Sequence, residues 1–232
     1  MCDLCHCECG VLAHVHNGKV VKVEGDPKCP INEGMLCPKG LAITQLLYHP
    51  DRLKYPLKRS GERGEGKWER ISWDEALETV AARFRDILGK YGPETITWSW
   101  GDSAYRNSRF TKDAWLYAMN APNHFHSDAH YCFYPVMIAN RLTFGEFVTS
   151  EGAPDYRNSR CIMLWGGNPV MSHPTQGREI MIGKRNGAKL IVVDPRLTEI
   201  GSKADLFLQL RPGTDGALAL AMLNVVINEE LY

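Results

Sequence analysis

The sequence predicts an α/β protein in which a small β-rich module precedes helices layered on a mostly parallel sheet. Two patterns predict this class: a hairpin signal in residues 10–25, and strands that alternate with helices after residue 160. The 232 residues, 44% of them apolar, suffice to bury a core. Because 27 basic residues balance 27 acidic ones, the chain lacks the basic excess of nucleic-acid-binding proteins, and no nucleic-acid partner is expected.

The hairpin signal lies in the N-terminal module. Residues 10–25 alternate apolar and polar side chains around Asn17-Gly18, a dipeptide that favours a tight turn between two strands. The first fifty residues are therefore expected to form a small β module. Residues 52–70 are basic and contain glycine without any periodicity, which is typical of a surface connector.

A helix is predicted to begin after Ser72, in the capping-box sequence SWDE. Ser72 would cap the helix, and Glu75 would reach back to the first free amide. Gly92 and Pro93 are expected to end the helix. Its apolar side chains recur at helical spacing and are Leu77, Val80, Ala81, Phe84, Ile87 and Leu88.

Strands and helices alternate after this helix. A strand is predicted at 95–100, and helices at 106–119 and 133–143, with irregular chain between the two helices. From residue 160 the order is the strand CIMLW, a Gly-Gly turn, a helix after Pro174, the strands KLIVVD and LFLQL, and a helix from about Thr214 to Tyr232. This alternation predicts a Rossmann-like, mostly parallel sheet covered by helices.

Domain boundaries are expected after residues 53 and 129. The first domain, 1–53, would be the cysteine-containing module, and 54–129 would be part of an α/β domain. Residues 130–232 would form an incomplete Rossmann-like nucleotide-binding domain. The longest apolar stretch, 217–227, is too short to cross a bilayer, so no membrane span is expected.

Cysteines stand at metal-ligand spacing near the N-terminus. Cys2, Cys5 and Cys9 are spaced C-x2-C-x3-C, and Cys37 follows in LCPKG. No signal peptide precedes them, so the chain is expected in the cytoplasm, or in the periplasm if an export signal was lost by truncation. In a reducing compartment such cysteines indicate metal ligands rather than disulfides. The spacing favours an iron–sulfur cubane over zinc, whose ligands usually come as two knuckles, but a zinc site stays open.

Three other cysteines are interpreted as thiols that pack like small apolar groups: Cys7, Cys29 and Cys161. Cys7 could nevertheless replace Cys5 or Cys9 as a ligand, because all three lie on one loop. Cys132 stands between two aromatic residues, which by itself is also typical of a buried thiol.

Ordered motifs along the whole chain carry a family resemblance. In order, they are CDLCHCECG, NGKVVKVEGDP, INEGMLCPKG, WERISWDEAL, YGPETI, LWGGNP, VVDPRLT, KADLFLQLRPGTDGALALAM and INEELY. On these motifs the chain resembles the molybdopterin oxidoreductases of the dimethyl sulfoxide reductase family. It is similar to the N-terminal portion of their catalytic subunit.

The resemblance implies a 4Fe-4S cluster and a bis(molybdopterin guanine dinucleotide) cofactor that carries molybdenum or tungsten. Lys39 is expected to lie between the cluster and the pterin and to assist catalysis by easing electron passage. Cys132 is expected to bind the molybdenum or tungsten directly, and His130, like His126, to carry protons. The implied cluster ligands are Cys2, Cys5, Cys9 and Cys37. The residues expected at the pterin dinucleotide are Gly166, Gly167, Asn168, Asp194, Arg196, Gly213 and Asp215.

Two local features agree with a bound nucleotide. The strand CIMLW runs into Gly166-Gly167-Asn168-Pro169, a turn that lets a phosphate or a pterin approach the backbone closely. Asp194 ends the next predicted strand, where Rossmann-like folds place an acid that binds a ribose hydroxyl. The turn is not G-x-G-x-x-G, so it is poor support for NAD.

The resemblance implies an enzyme that exchanges two electrons with a small substrate and passes them singly through the cluster. The motif HYCFYP resembles the polysulfide and thiosulfate reductase branch, and other motifs resemble the acetylene hydratases. Formate dehydrogenases have a histidine where this chain has Phe133, which argues against formate. Expected partners are a small-molecule substrate, an iron–sulfur electron-transfer subunit and the C-terminal remainder of the catalytic subunit. Family subunits are several times longer, so these residues alone are expected to be inactive.

Two other functions stay open. The chain could keep the cluster as a non-catalytic electron-transfer or assembly module. It could also be a zinc-containing NAD-binding dehydrogenase, as the strand, turn and helix near Gly166 and the position of Asp194 indicate.

Overall fold

A computed structural model describes residues 1–100, 113–126, 133–146 and 154–232. The chain divides into two compact units, one made of Met1–Pro50 with Ser150–Tyr232 and the other of Asp51–Thr149. The N-terminal module and the last third of the chain thus share one unit. The domain boundaries expected after residues 53 and 129 stay predictions.

The N-terminal module is built on the predicted hairpin. Strand β1 (Val11–His16) pairs antiparallel with β2 (Lys19–Gly25). The turn residues Asn17 and Gly18 have φ of 47° and 74°, the left-handed values that a tight hairpin turn requires. The hairpin prediction is therefore confirmed.

Two short helices follow that the sequence did not predict. Helix α1 (Pro38–Leu41) begins with Pro38 in its first turn, and α2 (Ile43–Leu47) comes directly after it. Helices of four and five residues are too short to show the periodic spacing of apolar residues by which a helix is recognised in a sequence. The first fifty residues are therefore a mixed module rather than a purely β one.

The connector expected at 52–70 contains a second hairpin, so that expectation was wrong. Strand β3 (Leu57–Arg59) pairs antiparallel with β4 (Trp68–Arg70). All six side chains of the two strands are exposed, so the alternation of buried and exposed residues that marks a strand is missing.

Helix α3 (Trp73–Tyr91) begins and ends where the sequence predicts. The hydroxyl of Ser72 accepts a hydrogen bond from the backbone N–H of Glu75 at 3.0 Å. The carboxylate of Glu75 was predicted to reach back to the first free amide of the helix. It instead contacts Lys58 Nζ at 3.1 Å. Gly92 ends the helix with φ of 82°, a left-handed conformation that glycine adopts without strain.

A parallel pair of strands completes the description of this unit. Strand β5 (Thr97–Trp100) lies beside β6 (Asn123–His126), with helical residues 113–119 (α4) between them in sequence. Helix α5 (Phe133–Phe144) confirms the helix predicted at 133–143, while residues 106–112 of the other predicted helix lie outside the described residues. Strand β6 was predicted as irregular chain, because its polar sequence NHFH lacks an apolar pattern.

The other unit contains the predicted parallel sheet. Strands β7 (Cys161–Trp165), β8 (Lys189–Val193) and β9 (Leu206–Leu208) pair in parallel, in that order. Helix α6 (Pro169–Ser172) and helix α7 (Pro174–Arg185) connect β7 to β8. Together with the mixed α/β layers, this arrangement confirms the predicted fold class. The buried core of the sheet consists of Ile162, Leu164, Ile180, Ala188, Leu190, Val192 and Ile200.

The last helix, α8 (Asp215–Asn228), is shorter than predicted. Glu230 adopts a left-handed φ of 50°, and the N–H of Leu231 bonds back to Val226 O at 2.9 Å. These contacts form a Schellman motif at the helix C-terminus. The sequence does not predict this motif, because a glutamate occupies the position where glycine is usual. Within the part of the chain that the structure describes, no helix has the length and apolar character needed to cross a bilayer.

The parallel sheet predicts a measurable difference between two leucines. Leu190 is 0% exposed at the centre of the sheet, whereas Leu206 on β9 is 48% exposed. We expect Leu190→Ala to lower the free energy of unfolding by about 2–5 kcal/mol, because it leaves a cavity, and Leu206→Ala to lower it by less than about 1 kcal/mol. Urea unfolding followed by circular dichroism measures both, and equal losses would contradict the assigned core.

Candidate functional site

The N-terminal cysteines form a buried cluster. Cys2, Cys7 and Cys9 pack together with Leu36, and the partly buried Cys5 lies against them. Cys2 donates its backbone N–H to Cys9 O at 2.8 Å, which closes the first loop. Cys37, buried at the start of α1, returns to the same place from the distant loop.

The thiols of this cluster influence one another electrostatically. Burial raises the pKa of the Cys9 thiol, and the neighbouring Cys5, Cys2 and Cys37 raise it further. Four thiols that meet in this way repel one another as thiolates, so a cation among them would be stabilising. Among the described residues, no three His, Cys, Asp or Glu side chains converge on a single metal ion. A cubane cluster spreads its ligands over several iron atoms, so its thiols need not meet at one point.

The buried side chain of Asn32 holds the two cysteine-bearing loops together. Its Oδ1 accepts the N–H of Gly10 at 2.8 Å, and its Nδ2 donates to Gly10 O at 3.1 Å. The same Nδ2 donates to Met35 O at 2.7 Å. Asn32 is 0% exposed, so its side-chain amide is shielded from water. Asn32 therefore sets the distance between the loop that ends at Cys9 and the loop that leads to Cys37.

The first turn of α7 contacts the same cysteines. Thr175 Oγ1 lies 3.2 Å from Cys9 Sγ, and both residues are buried. The backbone N–H of Gln176 bonds to the sulfur of Cys7. Burial is the main reason why the pKa of Cys7 is raised to about 11, so this thiol remains protonated at neutral pH.

Lys39 and two histidines connect the cysteine module with the parallel-sheet layer. Lys39 Nζ lies 3.5 Å from the backbone oxygen of Ser172, at the end of α6. The ring of His6 meets the ring of His173 edge-on, with 6.0 Å between their centres. Ser172 and His173 also line a large cavity beside this layer. Lys39, two residues after Cys37, therefore contacts a residue that lines this cavity.

The cavity, of about 870 Å³, opens at the carboxyl end of β7. Gly166 turns the chain there with φ of 61°, a value that favours glycine. Asn168 Nδ2 donates to Glu199 Oε2 at 3.1 Å, and Asn168 Oδ1 is buried without a hydrogen-bond partner among the described residues. A buried acceptor of this kind is costly unless a ligand supplies an N–H or O–H.

The family assignment follows from comparison with known proteins. The family described as "Molybdopterin oxidoreductase Fe4S4 domain" matches residues 1–49, and the family described as "Molybdopterin oxidoreductase" matches residues 52–232.

The chain belongs to the molybdopterin oxidoreductase family.

Several known proteins are similar in sequence to this chain. The acetylene hydratase of Syntrophotalea acetylenica is 35% identical over 237 residues, which cover 100% of this chain and 32% of the relative. The thiosulfate reductase molybdopterin-containing subunit of Salmonella typhimurium is 33% identical, with 100% and 30% covered. The periplasmic nitrate reductase of Desulfovibrio desulfuricans is also 33% identical over the same shares. The chain thus spans about a third of the length of these relatives.

A solved structure agrees with the sequence comparison. Acetylene hydratase from Pelobacter acetylenicus superimposes with a TM-score of 0.78 at 34% identity, covering 100% of this chain and 32% of the solved chain. The two family matches support an iron–sulfur cluster and a molybdopterin as cofactors. The donor set fits both groups, since buried thiols suit a cluster and the unpaired Asn168 Oδ1 suits a heterocycle with N–H donors.

The structure brings most of the residues predicted for the cofactors to two places. Cys2, Cys5 and Cys9 lie in the buried cysteine cluster, and Cys37 is close enough to raise the pKa of the Cys9 thiol. The residues predicted for the dinucleotide that line the cavity are Gly166, Gly167, Asn168 and Arg196.

Asp194, Gly213 and Asp215 were also predicted to contact the dinucleotide, but they are not among the residues that line the cavity. Asp194 is buried, and its Oδ1 accepts the N–H of Arg196 at 2.8 Å, so it shapes the turn after β8. Asp215 Oδ1 accepts the indole N–H of Trp165 at 2.7 Å, and Trp165 lines the cavity. Gly213, with φ of 85°, shapes the turn before α8. Their contact with a dinucleotide stays a prediction.

The predicted molybdenum or tungsten ligand, Cys132, and the predicted proton carrier His130 lie outside the described residues. The backbone of His126 belongs to β6. The roles assigned to these residues stay predictions.

An ion-pair network that the sequence did not reveal joins the module to the sheet layer. Arg157 donates to Glu33 with both terminal nitrogens, at 3.0 and 2.7 Å, and to Glu179 through Nε and Nη2. Arg178 adds a contact to Glu179 at 3.1 Å. Bidentate arginine–carboxylate pairs fix orientation as well as adding energy. Asn32, Thr175 and Arg157 were all missed, because each contacts a residue at least 22 positions away that its local sequence does not indicate.

Removing the amide of Asn32 tests its role in holding the loops. Asn32→Ala removes the partner of the Gly10 N–H and of the Met35 carbonyl, both partly buried, which costs about 1–3 kcal/mol for each group. We expect the variant to unfold at lower temperature and to take up much less iron during anaerobic reconstitution. Asn228→Ala, at the exposed end of α8, is the matched control and should behave like the wild type. Full iron uptake by Asn32→Ala would contradict this role.

Protonation of Glu33 should weaken the network at low pH. The hydrogen bonds from Arg157 hold the pKa of Glu33 below its usual value of 4.5. Because the folded-state pKa is the lower one, the stabilisation is complete above pH 4.5 and is lost as the pH falls through the folded-state value. We expect the difference in unfolding free energy between wild type and Glu33→Gln to shrink in that range, as measured by urea unfolding at a series of pH values. Glu230→Gln provides the control, and a pH-independent difference would contradict the prediction.

Proposed function

We propose that this chain forms the cluster-binding and part of the pterin-binding region of a molybdenum or tungsten oxidoreductase catalytic subunit. The proposed reaction is the two-electron oxidation or reduction of a small substrate, with electrons passing singly through a 4Fe-4S cluster. The observation that carries this proposal is that Lys39, two residues after the buried Cys37, contacts Ser172, which lines the large cavity.

The cluster would be held by Cys2, Cys5, Cys9 and Cys37. Cys2, Cys9 and Cys37 are buried, and the three other cysteines are close enough to Cys9 to raise the pKa of its thiol. A cluster with a positive iron core would relieve the repulsion among the thiolates. Lys39 contributes a cation on the side that faces Ser172, where it can donate a hydrogen bond to a bound pterin.

The cavity at the end of β7 would hold one half of a bis(molybdopterin guanine dinucleotide). In this proposal Asn168 Oδ1 accepts an N–H of the heterocycle, which removes the cost of an unpaired buried acceptor. The Gly166 turn lets the backbone come close, and the guanidinium of Arg196 pairs with a phosphate. Asp194, Gly213 and Asp215 would support the surrounding turns. When bound, the group supplies a metal centre that exchanges two electrons with the substrate.

The remaining predicted residues complete the proposed site. Cys132 would provide a thiolate ligand to the molybdenum or tungsten, since a soft sulfur ligand suits such a metal. His130 would carry a proton at near-neutral pH. The chain spans about a third of its relatives, so we propose that activity requires the polypeptide that corresponds to their remaining length, with an iron–sulfur electron-transfer subunit as a further partner.

The favoured substrate class is a sulfur oxyanion or a polysulfide. The HYCFYP motif supports this class, and a thiosulfate reductase subunit is 33% identical to the chain. Acetylene hydration is the second candidate, supported by the TM-score of 0.78 to acetylene hydratase. The two candidates differ in electron balance, because hydration consumes no electrons. Oxidation of a reduced viologen dye upon addition of thiosulfate would favour the first, and loss of acetylene without dye oxidation would favour the second.

Cofactor analysis tests the proposal itself. We expect anaerobically prepared chain to contain about four iron and four sulfide per polypeptide. Molybdenum or tungsten and pterin should be well below stoichiometric in the isolated chain and should approach stoichiometry when the remaining length of the subunit is present. Iron and sulfide without pterin in that complete form would favour the electron-transfer or assembly module. Zinc with NAD affinity and no iron would contradict the proposal.

Substitution of single cysteines tests the ligand assignment. Cys37→Ala should lose most of the iron, because it removes one of the four proposed thiolates. Cys161→Ala is the control, since Cys161 is exposed on β7. Cys7→Ala should keep its iron if Cys7 is a packed thiol rather than a ligand. Iron loss from Cys7→Ala, with retention by Cys5→Ala or Cys9→Ala, would show that Cys7 replaces one of the proposed ligands.

A further inference from the structure

We infer that the hydroxyl of Thr175 tunes the reduction potential of the cluster by donating a hydrogen bond to the sulfur of Cys9. This inference rests on the proposed role of Cys9 as a cluster ligand. Thr175 acts through Cys9, so it is a positioning and tuning residue rather than a catalytic one.

The geometry of the contact supports donation to sulfur. Thr175 Oγ1 lies 3.2 Å from Cys9 Sγ, within the range of a hydrogen bond that involves sulfur. Thr175 is 3% exposed and Cys9 is 5% exposed, so water does not compete for either atom. A cysteine that binds iron is a thiolate without a proton, and the hydroxyl is then the donor.

The position of Thr175 is fixed by the helix on which it lies. Thr175 is the second residue of α7, directly after Pro174, and α7 has 12 residues. Gly177, two residues later, packs so closely that an added Cβ would meet Val170 Cα at 2.9 Å. Ile180, on the next turn, is completely buried. This packing holds the backbone of Thr175 in place beside Cys9.

A second group of the same turn points toward the cysteine loop. The N–H of Gln176 bonds to the sulfur of Cys7. The first turn of a helix carries partial positive charge, which stabilises negative charge nearby. The start of α7 thus presents two donors to the loop that contains the proposed ligands.

The hydrogen bond from Thr175 to Cys9 favours the reduced state of the cluster. Reduction adds one electron from a one-electron donor and no proton, so the negative charge on the ligand sulfurs increases. A hydrogen bond to a more negative acceptor is stronger, and hydrogen bonds to the sulfurs are among the factors that set the potential of iron–sulfur clusters. Loss of the Thr175 hydroxyl should therefore make the cluster harder to reduce.

Variants at Thr175 separate the hydroxyl from packing. Thr175→Val keeps the shape and removes the hydroxyl, Thr175→Ser keeps the hydroxyl, and Thr175→Ala removes it without a branched side chain. Thr143→Val on α5 is the control for loss of a threonine hydroxyl elsewhere, where Oγ1 bonds to a helix carbonyl. Each reconstituted chain is titrated anaerobically with dithionite in the presence of mediators, with the reduced cluster followed by electron paramagnetic resonance and the iron content measured in parallel.

We expect the equilibrium constant for reduction to fall about tenfold in Thr175→Val, which corresponds to a potential about 59 mV lower for one electron. Thr175→Ala should shift in the same direction, while Thr175→Ser and Thr143→Val should keep the wild-type potential. An unchanged potential in Thr175→Val and Thr175→Ala at full iron content would overturn the inference. So would an equal shift in Thr175→Ser, or loss of iron from both hydroxyl-free variants, since the side chain would then serve packing or assembly. A wild-type chain without any cluster would instead contradict the proposed function.

Discussion

The buried amide of Asn32 is the contact on which the arrangement of the cysteines depends. Its bonds to Gly10 and Met35 join two loops that carry the proposed ligands but share no regular secondary structure. Loops of this kind lose much conformational entropy when they are ordered, and bringing several thiols together adds electrostatic cost. A fully satisfied buried amide offsets part of that cost and specifies a single geometry. The surrounding hairpin provides the rigid base from which both loops leave.

The sheet layer contributes to the same site from the other end of the sequence. The first turn of α7 contacts the cysteine loop, Lys39 reaches Ser172, and Arg157 binds Glu33. Each of these contacts joins residues more than a hundred positions apart. The proposed cluster site is therefore built within one compact unit, to which the family match at residues 1–49 and the last part of the match at residues 52–232 both contribute.

The elements that could be predicted from sequence are those with a strong local cause. The Asn17-Gly18 turn, the Ser72 cap and the apolar strand β8 each depend on neighbouring residues, and all three are found. The pairs β3–β4 and β5–β6 include short, exposed strands without an apolar pattern, so the hairpin of β3 and β4 and the strand β6 were not predicted. At the site, cysteine spacing and motif order indicated the proposed ligands. Asn32, Thr175 and Arg157 have ordinary local sequences, and only the fold brings them to their partners.

The long sequence separation between Cys9 and Thr175 also has a consequence for synthesis of the protein. The two residues are 166 positions apart, so the cysteine loop leaves the ribosome well before the turn that covers it exists. At roughly 5–20 residues per second, this delay is on the order of ten seconds. During that interval the thiols are open to solvent, to oxidants and to stray metal ions. Protection of the nascent chain, or late delivery of iron, would limit side reactions of these thiols before the turn covers them.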